Sequence, residues 1–154
     1  MNWQNEYGIS PSCFACLMRL CTKANAFVVI SSNWRRFEDD GEWSYRTPDG
    51  VHKVRNQMPA LKAMLGERYA GTLPVEPHVT KSKALLMWFD EHPCFNGSFV
   101  VLDDDLREGF QSTLARDVHK HFILTDYEWG LTERDVDKAM SILGCSLPDM
   151  KNMI

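Results

Sequence analysis

Three groups of residues in this chain have types and spacing suited to chemistry: Ser31-Ser32, Lys81, and Asp103-Asp104-Asp105. The aspartates follow the apolar run Ser98-Phe99-Val100-Val101-Leu102. Three adjacent carboxylates repel one another unless water or a cation offsets their charge, and Mg²⁺ suits one or two carboxylates completed by water and phosphate oxygens. An acidic turn, with Asp105 capping the next helix, is the plain alternative. Ser31 and Ser32 close the run Ala26-Phe27-Val28-Val29-Ile30 and can donate hydroxyl and backbone N–H bonds to a phosphate oxygen. A hydroxyl turn or helix cap is the bland alternative for them. Lys81 opens a helix, where a cation opposes the macrodipole. That position suits a lysine neutralising a phosphate, although a solvated surface lysine is the commoner case.

The elements that must position these groups are legible from pattern. Ser10-Pro11 supplies a hydroxyl cap and a proline at the first helical position. Phe14, Leu17, Met18, Leu20 and Cys21 continue an apolar face to about Lys23. Ala26 to Ile30 and Ser98 to Leu102 are short unbroken apolar runs, the pattern of strands buried on both faces. Phe122 to Thr125 is a third, shorter strand candidate. Met58 to Leu65 and Lys81 to Glu91 are predicted as helices, and Thr132 caps a last one that Gly144 stops. Helices alternating with apolar strands predict an α/β fold with a parallel sheet covered on both faces, where ligands bind at the carboxyl ends of the strands.

Bulk properties exclude several classes. With 154 residues the chain fits one domain, with a polar insertion at about 37–55. Hydrophobic residues at 44% and charged residues at 25% argue against disorder. A net charge of −4 removes any global attraction to nucleic acid or anionic lipid, so phosphate contacts must be local. No apolar run reaches the roughly 20 residues of a membrane span, and Met1 to Tyr7 lack the pattern of a signal peptide. Five irregularly spaced cysteines fit reduced thiols and a cytoplasmic setting.

Cys13-Phe14-Ala15-Cys16 lacks the preceding strand of a redox site, and no second ligand pair at suitable spacing makes it a zinc site. His119-x-His121 likewise lacks a second ligand pair at suitable spacing and is not read as a metal site. Trp88 falls on an apolar helix face. Trp43, with Tyr45 and Arg46, is the one aromatic–basic cluster suited to base stacking, in a stretch otherwise read as a solvated loop.

Taken in order, Val29-Ile30-Ser31-Ser32-Asn33-Trp34-Arg35, Lys81-Ser82-Lys83-Ala84-Leu85-Leu86-Met87-Trp88-Phe89, Val101-Leu102-Asp103-Asp104-Asp105 and Gly130-Leu131-Thr132 resemble the haloacid dehalogenase-like (HAD) superfamily. The similarity is to its small branch found in "Swiss army knife" RNA repair proteins, over about Phe14 to Leu143. The resemblance implies a Rossmannoid three-layer sandwich and an ancestry among Mg²⁺-dependent phosphohydrolases of phosphate monoesters, on nucleotides or RNA ends. Ser31, with Ser32 as the alternative, would bind the phosphoryl group. Lys81 would steady the charge of the covalent intermediate, in a place where many members carry Arg. Asp103 would be the Mg²⁺ ligand and Asp104 its support, while Gly130-Leu131-Thr132 would form a structural turn and cap.

One family element is missing. The first motif, a buried strand ending in Asp-x-Asp that supplies nucleophile and acid/base, has no counterpart in Met1 to Ile9. Asp39-Asp40 and Asp126 are the substitutes considered; the first lies in the polar insertion and the second near the end of the fold. Without an aligned nucleophile, phosphoryl transfer loses most of its catalysis, and Asp103 with Asp104 would hold Mg²⁺ weakly or not at all. The expectation is a phosphatase descendant with impaired or absent turnover, either shortened at its N-terminus or degenerate. The alternative is a non-catalytic binding or assembly module with a remnant phosphate pocket. The strands at Ala26 and Ser98 must then pair directly, or a partner protein or second chain completes the sheet.

Overall fold

The computed structural model describes residues 9–37, 42–144 and 152–153. Helix α1 spans Pro11–Ala24, with the Ser10 hydroxyl accepting from the Cys13 N–H at 3.5 Å and Asn25 ending it in the left-handed region. Its buried residues, Cys13, Cys16, Leu17, Leu20, Cys21 and Ala24, recur at helical spacing and form one face. Strand β1 follows at Ala26–Ile30. The predicted polar insertion contains an antiparallel hairpin, β2 (Glu42–Thr47) and β3 (Gly50–Arg55), in place of the expected solvated loop. Asp39-Asp40 and the side chains of Trp43 and Tyr45 lie outside the described residues.

Helix α2 is Met58–Leu65, and strand β4, Tyr69–Thr72, pairs in parallel with β1. Helix α3 is Lys81–Glu91, capped by the Thr80 hydroxyl, which accepts from the Lys83 N–H at 3.3 Å. The strand expected at Ser98 begins later: β5 spans Val101–Asp103, because Phe99 makes an isolated bridge and Asp103 still belongs to the ladder. Its parallel partner β6 is Phe122–Leu124. Short 3-10 turns fill most of the stretch from Leu106 to Lys120. Helix α4, Glu133–Leu143, starts from a reciprocal capping box between Thr132 and Asp135. A two-residue strand β7, Asn152–Met153, pairs in parallel with β1 at Ala26 and Phe27.

The fold is therefore mixed α/β with small parallel sheets, in the orders β4-β1-β7 and β5-β6, besides the hairpin. Alternation along the strands sorts side chains between two cores. Val28, Ile30, Val100 and Ile123 join the faces of α1, α2 and α4. Val29, Val101 and Phe99 join α3 residues Ala84, Leu85, Trp88 and Phe89 on the other side. Trp88 is a core residue, stacked on His92 with ring centroids 3.9 Å apart. Strands β1 and β5 thus contribute to the same two cores, yet among the described residues they do not pair with each other.

The described cysteines Cys13, Cys16, Cys21 and Cys94 are free thiols, and the first three are buried core residues. Among the described residues, no helix is long and apolar enough to cross a membrane.

Candidate functional site

Between β1 and β5 lies a cavity of about 160 Å³, room for several water molecules and so more than a packing defect. Val28, Val29 and Ile30 line one side, and Val100, Val101 and Leu102 the other. At its strand-end rim stand Ser31, Ser32, Lys81, Asp103, Asp104 and Thr125. Every residue singled out in the sequence as a phosphate or metal contact therefore lines a single cavity, although they come from three separate segments.

Local structure explains how each arrives there. Ser31 and Ser32 leave the carboxyl end of β1, where the Ser32 hydroxyl accepts from the Trp34 N–H at 3.2 Å. Ser32 thus forms the hydroxyl turn that was its alternative reading. Among the described residues the Ser31 hydroxyl has no hydrogen-bond partner, which leaves it available to a ligand.

Lys81 begins α3, and its backbone N–H donates to Glu108 Oε2 at 2.7 Å. That carboxylate supplies the negative charge favoured at a helix N-terminus, where the lysine itself is disfavoured. The Lys81 ammonium is buried and donates to Asp103 Oδ2 at 2.7 Å. The other Asp103 oxygen accepts from the Asp105 N–H at 2.9 Å, and its backbone carbonyl accepts from the Thr125 N–H at 2.9 Å. Asp103 is thereby fixed in position by both adjoining loops.

The three aspartates have separate environments. Burial foremost, and then the neighbouring Asp103 charge, raises the pKa of Asp104. Asp105 goes the other way: the Arg107 guanidinium that it binds holds its carboxyl below the usual value. Asp105 also caps the 3-10 turn at Leu106, accepting from the Arg107 N–H at 2.9 Å. The capping alternative holds for that residue.

A second buried cation, Arg35, was quoted in the sequence motif without a role. It is 4% exposed and donates from one terminal nitrogen to the Ser31 and Ser32 carbonyls at 2.8 and 3.1 Å. Its Nε–H is buried and has no hydrogen-bond partner among the described residues. Burial is the main cause that lowers its pKa, with Arg36 next, while Glu108 and Asp103 oppose the shift. Arg35 thus clamps the turn that carries both serines. Its type, an arginine right behind an apolar strand and a Ser-Ser turn, was the only available signal.

The donor set does not fit a preformed Mg²⁺ centre. Among the described residues no three His, Cys, Asp or Glu side chains are grouped to hold a metal. Asp103 is already neutralised by a buried ammonium, and the Asp104 carboxylate is disfavoured where it stands. In this arrangement Lys81 holds the place of a cation beside Asp103.

A family model described as "HAD domain in Swiss Army Knife RNA repair proteins" matches residues 2–136. No curated protein and no solved structure matches the chain. The family match covers most of the chain and takes in β1, Lys81 and the acidic end of β5, so the chain belongs to the HAD domain family of Swiss Army Knife RNA repair proteins.

Proposed function

We propose that this chain is a Rossmannoid HAD-like domain in three layers, with no Asp-x-Asp motif ahead of α1, that binds phosphate monoesters and turns them over poorly or not at all. The convergence of Ser31, Ser32, Lys81 and Asp103 on one cavity rim carries the reading. Family membership supports a phosphohydrolase ancestry and nucleic-acid ends as ligands.

The residues divide the work by charge. The Ser31 hydroxyl and the backbone N–H groups of the turn donate to phosphate oxygens. Lys81 supplies positive charge, shared with Asp103 at 2.7 Å. That sharing weakens phosphate binding, since an entering dianion meets the Asp103 and Asp104 carboxylates as well as the ammonium. Among the described residues at this rim, Asp103 is paired with the Lys81 ammonium, Glu108 accepts from the Lys81 backbone N–H, and burial disfavours the Asp104 carboxylate. In-line attack on phosphorus therefore lacks an aligned nucleophile among the described residues.

A phosphomonoesterase assay with Mg²⁺, run beside titration of a 5′- or 3′-phosphorylated oligoribonucleotide, tests this. The expected result is binding that weakens at least about tenfold in Lys81→Ala, with a flat hydrolysis baseline in wild type, Lys81→Ala and Asp103→Ala. Turnover abolished by both substitutions would return the protein to the active enzymes. Equal binding of phosphorylated and unphosphorylated oligonucleotides would sink the phosphate pocket.

A further inference from the structure

The turn that leaves the cavity rim after Thr125 displays two aromatic side chains to solvent. Tyr127 is 59% exposed and Trp129 73%, whereas Trp34 and Trp88 are core residues. Large aromatic side chains ordinarily bury most of their surface, so a pair left in water within one turn calls for a partner.

The turn is held in place by its own hydrogen bonds. One Asp126 carboxylate oxygen accepts from the Glu128 and Trp129 N–H groups, at 2.8 Å each. The Asp126 carbonyl accepts from the Gly130 N–H at 2.8 Å, and these two residues form an antiparallel bridge. From outside the turn, the Cys13 thiol donates to the Trp129 carbonyl at 3.4 Å. The Trp129 backbone is thus engaged at both its N–H and its carbonyl while its indole stays in solvent. A ring presented this way has less freedom left for a ligand to order. Position ties the turn to the site: Thr125 before it and Leu131 after it both line the cavity. Trp129 is two residues from Leu131, so their Cα atoms are at most about 7 Å apart.

We infer that this turn is a stacking platform, with Trp129 at its centre and Tyr127 beside it, for a nucleobase of a ligand whose phosphate sits at the Ser31–Lys81 rim. Charge selects which part of the ligand it takes. Residues 126–130 carry Asp126 and Glu128 and no cation, so the turn repels phosphate. An uncharged base stacks on an indole face without a countercharge, and any of the bases can do so. The two ends of a nucleotide are thereby sorted, the base to the aromatic turn and the phosphate to the lysine. An acidic aromatic turn also suits an organic cation, but the wall it shares with Ser31 and Lys81 favours a ligand that carries phosphate as well. This inference rests on the phosphate reading above and adds the base as the second group recognised.

The test uses the full chain and two probes of equal charge, each phosphorylated at both ends: a tetra-adenylate and its abasic ribose-phosphate counterpart. Titration calorimetry reads the binding. Wild type should hold the base-bearing probe at least about fivefold more tightly than the abasic one. Trp129→Ala should erase that difference and leave the abasic probe unchanged, while Trp129→Phe keeps most of it. Lys81→Ala should weaken both probes. Lys81-dependent binding that ignores the base, or a Trp129→Ala loss equal for both probes, would overturn the platform and leave the phosphate pocket standing. Binding of neither probe would sink the pocket, and the platform with it. The platform also falls if Trp129, read as the emission lost in Trp129→Ala, is shielded from acrylamide in the free chain. Saturable quenching of that emission by an arginine-rich peptide, with none by the tetra-adenylate, would overturn it in favour of a cation.

Discussion

The Lys81 ammonium and the Asp103 carboxylate lie 2.7 Å apart, both side chains at least nine-tenths buried, at the strand-end rim of the β1–β5 cavity. Coulomb attraction in such a place is strong, but so is the desolvation of each ion, and the net worth of the pair is small compared with the cost of breaking it. Lys81→Met leaves an uncompensated carboxylate and should destabilise the fold by about 3–5 kcal/mol. Lys81→Met with Asp103→Leu removes both charges and should recover most of that loss. Urea denaturation of the two single variants and the double variant measures the coupling.

Asp104 gives a prediction of opposite sign. Its pKa is raised, by burial first and by Asp103 second, so the folded state favours the protonated form. The stabilisation is fully present below the ordinary carboxylate range and is lost as pH rises through the raised value. Asp104→Asn should therefore be more stable than wild type at neutral pH and should lose less stability between about pH 4 and pH 7. Melting temperatures across that range decide it; a wild type that melts higher than the variant at pH 7 contradicts the electrostatics.

Burial pushes the Cys21 thiol up from 9.0 to about 11, more than Arg68 offsets. Stability linked to this group is complete below about pH 9 and declines as pH rises to about 11, by roughly 2–3 kcal/mol at the top of the window. Cys21→Ala should flatten that alkaline slope relative to wild type, although it lowers stability at pH 7. Under native conditions the exposed Cys94 should react with a thiol reagent first and Cys21 last among the described cysteines. Mass mapping of the labelled thiols gives the order.

Gly109 sits at φ 83°, where a side chain is strained, and a Cβ there would come within 2.7 Å of Ser82 Oγ. Gly109→Ala should cost about 1–2 kcal/mol from the backbone alone, with the contact adding to it. Ser82→Ala in the same chain relieves the contact and leaves the backbone strain. Thermal melts should place the double variant above Gly109→Ala and below Ser82→Ala.

How far the sequence carried differs between elements for physical reasons. Helices α1 and α4 were legible because Ser10 and Thr132 are hydroxyl caps at the head of apolar faces, and α3 because Leu85, Leu86, Trp88 and Phe89 mark its apolar side. Strands β1 and β5 were legible as unbroken β-branched runs. Strand β4 was not, because Tyr69-Ala70-Gly71-Thr72 is a half-exposed edge whose pairing with β1 is tertiary. The hairpin was read as a loop although Pro48-Asp49-Gly50 is a strong turn signal, since its charged residues masked the alternation. At the site, residue types pointed to Ser31, Lys81 and Asp103. That Lys81 would be spent on Asp103, and that Arg35 would clamp the serine turn, depends on burial and distance, which no spacing encodes.

The gap between β1 and β5 also makes the molecule mechanically uneven. Within each half, strands are bonded in rows that must fail together. Across the seam, among the described residues, the halves are held by the two shared cores, by the Arg19–Glu133 ion pair, and by the Cys13 and Cys16 thiols, which donate to the Trp129 carbonyl and the Glu133 carboxylate. Short-range dispersion forces yield to small displacements one contact at a time. Among the described residues no ladder crosses the seam, so the half carrying Ser31 and the half carrying Asp103 keep their register through shared side-chain cores rather than through backbone bonds.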